Sequence, residues 1–497
     1  MEKITNIQYE ECSHTTCEYE VYEKDKCILH CDKNEKNGWY ELQNGKKIWN
    51  QKKVDDFWNA IREEITNLDK VNHVTDYIFP EFEKYIKQIV PNKDTLSKNY
   101  NFWVKGVGVN DLEINEISFR DCVFLGKTRF NHMNIGRLSF YSCSFSEDLT
   151  LSRSNFNKVY FDRCKVNGRM FIVHSEFSKS DPSLKLYDVE FNKRLVIRNI
   201  QNNNINISLN LCHFYENSIV DITYVGAKYF KLKDIYNYSK TFQIRDIEIQ
   251  NEFIIEGTSI NSLIFIDCNF AKTKKLALKS MSLQNIIFDN INWGKINSDH
   301  IDANRDAIRQ LKHSNDLQGN YIQANKFYAL EMEKYGEEIK DSKNYLEKAI
   351  FLISKNLSNF SQNWLLPIFW FIFLYSFLFD FLILKNNAFD FNTSSVFISI
   401  SILLSKIALA SKIITSNTRK WLFITVFIIA AQVTIFSIIN WDGNLFNEYF
   451  WLFNPFNTKT EGDSDMYEKI VFIIYKLFTI LVGYHLVTAL RFHTRRK

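Results

Sequence analysis

The sequence predicts a multidomain protein: a parallel β-solenoid followed by an α-helical stalk and a four-helix transmembrane domain, with a small zinc knuckle in front. Three observations predict it. A Phe-x-x-Cys phrase recurs with its cysteines 21 residues apart, at Cys122, Cys143 and Cys164. The chain is polar to about residue 360 and then rises into four apolar stretches of 19 to 24 residues. Four of the nine cysteines fall between Cys12 and Cys31. A mean hydropathy of −0.23 averages the two halves and conceals the apolar rear.

With 497 residues, 46% hydrophobic, and only 15 Gly and 5 Pro, the chain is neither collagenous, nor a disordered tail, nor a small disulfide scaffold. Lys and Arg total 61 against 57 Asp and Glu, so no polybasic character calls for nucleic acid, and none is expected as a partner. The opening Met-Glu-Lys-Ile-Thr-Asn-Ile-Gln is too polar for an export leader, which places the front half in a reducing cytosol. There the cysteines are expected as thiols or metal ligands. Heavy use of Asn, Ile, Lys and Phe points to a low-GC bacterial genome.

Residues 1–48 carry the knuckle. Cys12-x4-Cys17 and Cys27-x3-Cys31, the latter within Cys-Ile-Leu-His-Cys, can wrap four thiolates round one zinc. So short and polar a segment has almost no core, and the metal would supply most of its folding free energy. The expected set is Cys12, Cys17, Cys27 and Cys31 around a structural zinc. His14 or His30 can each replace a cysteine, and the plain alternative is four reduced surface thiols. A catalytic zinc needs an open position and a general base, which nothing here supplies, so no catalytic residue is assigned and no enzyme is expected.

Residues 49–110 form a helical linker and cap. Val54, Phe57, Trp58, Ile61 and Ile65 share one face of an amphipathic helix, and Ile78, Phe79, Pro80 and Phe82 form a wedge over the first coil of the solenoid.

The repeat occupies 111–296. Phe119-Arg-Asp-Cys-Val-Phe124 returns as Phe140 to Phe145 and as Phe161 to Val166. Looser copies start at Leu186, Leu209, Leu232, Ile244, Phe265 and Phe288. The first, fourth and sixth positions are apolar. A straight strand alternates with period two, so the extra residue between the first and fourth positions implies a corner. Short strands joined by corners describe one rung of a parallel solenoid, which buries its inner face only when rungs stack. Cys122, Cys143 and Cys164 are then an inward ladder beside a phenylalanine ladder, and small buried hydrophobes, not ligands.

Phe140-x-x-Cys143-x-Phe145 and Phe161-x-x-Cys164-x-Val166 resemble the pentapeptide-repeat family, with its central Phe or Leu and a small residue two positions earlier. The resemblance implies a right-handed quadrilateral β-helix, with a looser related β-helix as the alternative. Some members of that family mimic DNA, which needs an acidic surface. Residues 110–296 hold 24 Lys and Arg against 20 Asp and Glu, which disfavours that function here. No phosphate loop, His-Glu-x-x-His or nucleophile elbow lies along the repeat, so binding of a cytosolic protein partner is the default.

Over 297–360, Ile301, Ile308, Leu311, Tyr321, Ala324, Phe327, Leu330 and Tyr335 follow helical spacing. Two helices broken near Asp316 to Asn320 would form a stalk that covers the last rung and is either solvated or self-associating. The phrase Ala324-Asn-Lys-Phe-Tyr-Ala-Leu-Glu-Met-Glu-Lys-Tyr before apolar helices is similar to bacterial membrane proteins that join pentapeptide-like repeats to a channel-like tail.

The transmembrane domain, 361–497, has spans near 364–384, 396–414, 421–440 and 467–490, each long enough to cross the bilayer. Cations at Lys340, Lys343, Lys348, Lys355, Lys412, Arg419, Lys420, Arg491, Arg495, Arg496 and Lys497 alternate with cation-poor connections. The positive-inside rule therefore puts both termini in the cytosol of a bacterial inner membrane. Lys406 and Lys476 fall near the middle of the second and fourth spans, Gln432 on the third, Ser399, Ser401 and Ser405 on the second, and Asp380 on the first. Polar groups at that depth face a bundle interior or a pathway. A ring of Lys406 in a homo-oligomer would favour anions; a lysine paired with Asp380 would be structural; and 396–414 as an interfacial helix with Lys406 snorkelling is the rival. The aromatic segment near 445–456 lacks a carbonyl filter and reads as an interfacial belt.

The expectation is a non-enzymatic inner-membrane protein. Its β-helix binds a partner or signal and its bundle responds, as an ion-conducting pore or a defence effector that depolarises its host. The alternative is a membrane-anchored adaptor without transport; an enzyme using the knuckle metal comes third.

Overall fold

The architecture comes from a computed structural model. It describes residues 13, 20–23, 25–67, 73–80, 114–131, 133–177, 181–201, 204–238, 240–280, 282–371, 373, 374 and 466–494. The chain divides into two compact units, Met1–Gln318 and Gly319–Lys497.

In the first unit a 24-stranded sheet winds through about eight turns as a β-solenoid, and the pairings between its coils are parallel. Register is kept from coil to coil: Phe119 lies beside Phe140, then Phe161, Leu186, Leu209, Leu232, Ile255 and Leu278. Burying one face at period two forces that register, because a slip of one residue would turn every apolar side chain outward.

The extra residue in the repeat is a left-handed corner. Asp121, Ser142, Arg163, Asp188, Leu211, Asp234 and Ser280 all have φ between 50° and 54°, and Gly257 has 62°. Each lets the next residue point inward again, so that Phe119 and Cys122 are both fully buried with Arg120 and Asp121 between them. Non-glycine residues seldom adopt this conformation. It persists here because the corner amide is paired: Asp121 N–H donates to Tyr141 O at 2.9 Å and Ser142 N–H to Asp162 O at 2.8 Å.

A second corner column comprises Arg153, His174, Asn199, Tyr224, Asp246, Asp267 and Asn290. The repeat copies at Ile244, Phe265 and Phe288 belong to this second column, and those from Phe119 to Leu232 to the first. One periodic phrase in the sequence is thus two corners per coil. The earlier members of the second column carry Ser154 and Ser175 where the first has cysteine, which hides the kinship.

Phenylalanines fill the interior. Phe119, Phe140 and Phe161 stack at centroid spacings of 5.1 and 4.7 Å, and Phe79, Phe124 and Phe145 at 4.8 and 4.7 Å. Each fully buried ring contributes about 1.5–3 kcal/mol. Phe79 is therefore the first step of a stack, not a wedge above it. His73–Thr75 and Ile78–Phe79 pair with Ser118–Arg120 and Val123–Phe124, so the ladder begins before residue 111. The first coil escapes the repeat count because His73 and its partner Ser118 are 45 residues apart. At the other end Ile301–Ala303 extends the ladder past residue 296.

Both ends are covered. Helix α1, Gln51–Asn67, buries Val54, Phe57, Trp58 and Ile61, and the Phe57 ring meets Phe79 edge-on at 5.7 Å. Helix α2, Arg305–Leu317, starts where the Asn304 side chain accepts from Ala307 N–H, and buries Ala307, Ile308 and Leu311. Ser314 Oγ and Gln318 Nε2 donate to Ile286 O at 2.5 and 3.0 Å, while Phe288 N–H donates to Gln318 Oε1 at 3.0 Å. These bonds satisfy last-coil groups that would otherwise template another strand.

The second unit is helical: α3, Tyr321–Glu338; α4, Tyr345–Ser358; a helical stretch at 365–371; and α5, Met466–Thr494. Asn320 and Asn344 cap α3 and α4, and Asn359, at φ 47°, ends α4 in the left-handed region. The residues expected as one stalk are divided between the units, α2 in the first and α3 and α4 in the second. Phe351 packs among Tyr335, Met332 and Phe360, in space left by Gly336, where a Cβ would stand 2.4 Å from the ring. Among the described residues one helix, over Ile473–Arg491, is long and apolar enough to cross a membrane. The second and third expected spans, and the first beyond residue 374, lie outside the described residues.

Candidate functional site

The expected metal residues are described only in part. Cys27 and Cys31 sit on one turn closed by Cys31 N–H to Cys27 O at 2.9 Å, both buried. His30 Nδ1 is 3.1 Å from Cys27 Sγ. Cys12, Cys17 and His14 lie outside the described residues, and among those described no group of three or more His, Cys, Asp or Glu could hold a metal ion. No zinc knuckle is evident among the described residues.

Beside the pair sits Lys33, a residue that sequence reasoning does not single out. Lys33 is 3% exposed, and its Nζ donates to Ile28 O at 2.8 Å, Cys31 O at 3.2 Å and Leu29 O at 3.3 Å, and stands 3.9 Å from Cys31 Sγ. The ammonium also lies over the Phe57 and Trp39 rings at 4.8 and 5.0 Å. Burial pulls its pKa down to about 8 against the opposing pull of Cys31 and Cys27, and burial pushes the Cys31 thiol up while Lys33 draws it back. The position of Lys33 in a polar run leaves no periodic signal.

The ladder cysteines are structural. Cys143 Sγ donates to Tyr141 O at 3.3 Å and to Phe119 O of the preceding coil at 3.5 Å; Cys164 and Cys268 repeat the pattern. Ser154 and Ser175 do the same at the second corner. Burial pushes the Cys212 and Cys268 thiols up to about 12, far from a reactive thiolate.

Outward columns carry what a partner would meet. On the face of the strands Asn155–Asp162, Ser183–Tyr187 and Ile219–Lys233, Lys158, Tyr160, Lys185, Tyr187, Tyr229 and Lys231 point away from the core. Lys228 and Lys231 flank the Tyr229 ring at 5.5 and 5.7 Å. Across the corner, His213 stacks on Tyr236 at 5.1 Å, and Tyr215, Tyr236 and Tyr238 are 45%, 45% and 61% exposed. Tyrosine-rich patches of this kind supply rigid contact area. Elsewhere the flanks carry inter-coil ion pairs such as Arg194 and Arg198 on Asp221, each at 3.0 Å. An apolar void under α2, lined by Phe253, Phe265, Phe270, Leu276, Trp293 and Leu311, is about 10 Å³, roughly one water, and is a packing gap.

In the second unit α5 buries one stripe, Tyr475, Thr479, Val482, His485 and Ala489, at spacings of three and four. Ile473, Ile474, Leu477, Phe478, Ile480 and Val487 on its other sides are 46–66% exposed. Within the unit, Ser358 Oγ, fully buried, lies 3.1 Å from His485 Nδ1. His485, a polar residue inside an apolar run, is the sequence signal for this contact. Lys476 is half-buried next to the stripe. Asp380, Ser399, Ser405, Lys406 and Gln432 lie outside the described residues. No family model matches the chain, and no curated protein or solved structure matches it either.

Proposed function

We propose that this chain is a multi-pass bacterial inner-membrane protein with both termini cytosolic. Its right-handed β-solenoid binds a cytosolic protein partner, and its four-span bundle, assembled as a homo-oligomer, responds by conducting ions. The observation that carries the membrane part is the outward face of α5, where large aliphatic side chains lie exposed while Thr479 and His485 are buried with Tyr475, Val482 and Ala489. In water that arrangement forgoes about half of the roughly 1.5–3 kcal/mol that full burial of each side chain contributes; in hydrocarbon it is the stable one. The tyrosine- and lysine-bearing coils around Tyr187, Tyr229 and Tyr236 are the proposed docking surface, suited to an acidic partner. A structural zinc on Cys12, Cys17, Cys27 and Cys31 completes the front.

Reconstituted full-length protein should conduct in planar bilayers, with Lys406→Glu changing ion preference. Silence under every stimulus, with the protein verifiably inserted, overturns the pore. The second reading, a membrane-anchored adaptor, is favoured by the Ser358–His485 contact, which satisfies polar groups inside one chain and leaves them unavailable to a pathway. Metal analysis of purified protein should return one zinc per chain, lost in Cys27→Ser.

A further inference from the structure

We propose that α4 is an interfacial helix, lying in the cytoplasmic surface of the membrane with its apolar face among acyl chains and its lysines on anionic phospholipid headgroups. This rests on the membrane reading above. Tyr345, Leu346, Ile350, Leu352 and Ile353 are 82%, 73%, 59%, 53% and 40% exposed. At about 100° per residue they span, with Ala349, an arc of roughly 160° on a 14-residue helix. The inward face holds Phe351 against Tyr335 and Phe360, together with Ser358. A helix packed on a protein and facing water puts its apolar stripe inward and polar residues outward. Here most of the outward arc is aliphatic, and Lys348 and Lys355 stand at its border.

Position identifies the occupant. α4 packs on α5 through Ser358 and His485, six residues before Arg491 at the basic end of the candidate span. It then turns through Asn359, Phe360 and Ser361, all with positive φ, into the apolar stretch at 365–371, whose Trp370 Nε1 donates back to Asn356 O at 2.9 Å. The helix is therefore held at the mouth of the apolar segments. Lys340, Lys343 and Lys355 are exposed around it, and Lys348 donates to Lys340 O at 2.6 Å. The nearby carboxylates are Glu337, Glu338 and Asp341, which are exposed, Glu337 accepting from Lys334 Nζ at 3.1 Å, and Glu347, which accepts from Tyr335 O–H. Amphipathic helices with lysine-edged apolar faces bind anionic bilayers in this way.

The test uses the full chain in nanodiscs of mixed phosphatidylglycerol and phosphatidylcholine, with p-benzoyl-phenylalanine in place of Ile350, or of Leu346, and in place of Ile480 on α5 as reference. Irradiation should give phospholipid adducts at Ile350 with a yield comparable to Ile480, and phosphatidylglycerol should be enriched over its bulk fraction. At about five-fold per lysine, the triple variant Lys340→Glu, Lys343→Glu, Lys355→Glu should abolish the enrichment. Adducts at Ile480 but at neither α4 site overturn this proposal alone; adducts at none overturn the membrane reading. Cross-linked dimers in place of lipid adducts at Ile350 would assign the face to a second copy, and unenriched adducts would remove the headgroup contact; either result overturns the proposal.

Discussion

The solenoid and the C-terminal helices sort their side chains in opposite senses. Leu184 and Leu186 are buried while Lys185 and Tyr187 on the same strand face out; on α5, Leu477 and Ile480 face out while Thr479 and His485 are buried. The solenoid satisfies its backbone by pairing each coil with the next, α5 within itself. The contrast supports the proposal that the two regions face different solvents, because reversing the sign of the transfer free energy at the surface would reverse the sorting.

Equivalent substitutions should break that symmetry. Phe140→Ala opens a cavity between Phe119 and Phe161 and should cost about 3–5 kcal/mol in urea unfolding followed by circular dichroism in detergent. Ile480→Ala, on the exposed side of α5, should change the same curve little; equal effects would erase the distinction. A charge gives the converse. Leu477→Asp should oppose insertion by about 3 kcal/mol and reduce the carbonate-resistant membrane fraction, whereas Lys185→Asp on the outer solenoid should shift stability by less than about 0.5 kcal/mol.

A smaller effect separates buried from exposed cations within the first unit. Lys33→Met removes the ammonium donor from the carbonyls of Ile28 and Cys31, Leu29 O keeping Ile78 N–H, and should destabilise the front by about 2 kcal/mol, seen as faster proteolysis ahead of α1. The smallest concerns Asp148. Burial pushes its pKa up, but the Arg169 side chain, at 2.6 Å, and the Arg169 N–H outweigh it, so the carboxyl titrates below its ordinary value. A depressed acid stabilises the fold above its unfolded pKa and loses that contribution as pH falls through the folded one. Arg169→Ala should therefore flatten the acid limb of the stability profile below about pH 4, by less than about 1 kcal/mol given the exposure of the pair.

Much of the solenoid was legible because a rung must repeat its inward residues. Phe119, Cys122 and Phe124 announce a corner, and Cys143 and Cys164 repeat it. What blurred the repeat was chemistry that serves equally well: a serine hydroxyl at Ser154 or Ser175 bonds the corresponding two carbonyls as a cysteine thiol does, so the first members of the second corner do not read as copies of Cys122. The first coil was lost to the 45-residue step from His73 to Ser118, since loop length leaves no mark on a ladder's register. Lys33 and the Ser358–His485 contact were illegible because each depends on partners brought together by packing, Phe57 for the one and a helix 127 residues away for the other.

By itself, then, the sequence determined that a stacked coil is followed by apolar helices, since inward periodicity and hydropathy are local properties of the chain. Only the tertiary structure decided where the coil starts, that each turn has two left-handed corners, and which face of α4 and α5 is left outward, because those depend on which distant surfaces meet and on the sum of their packing and desolvation.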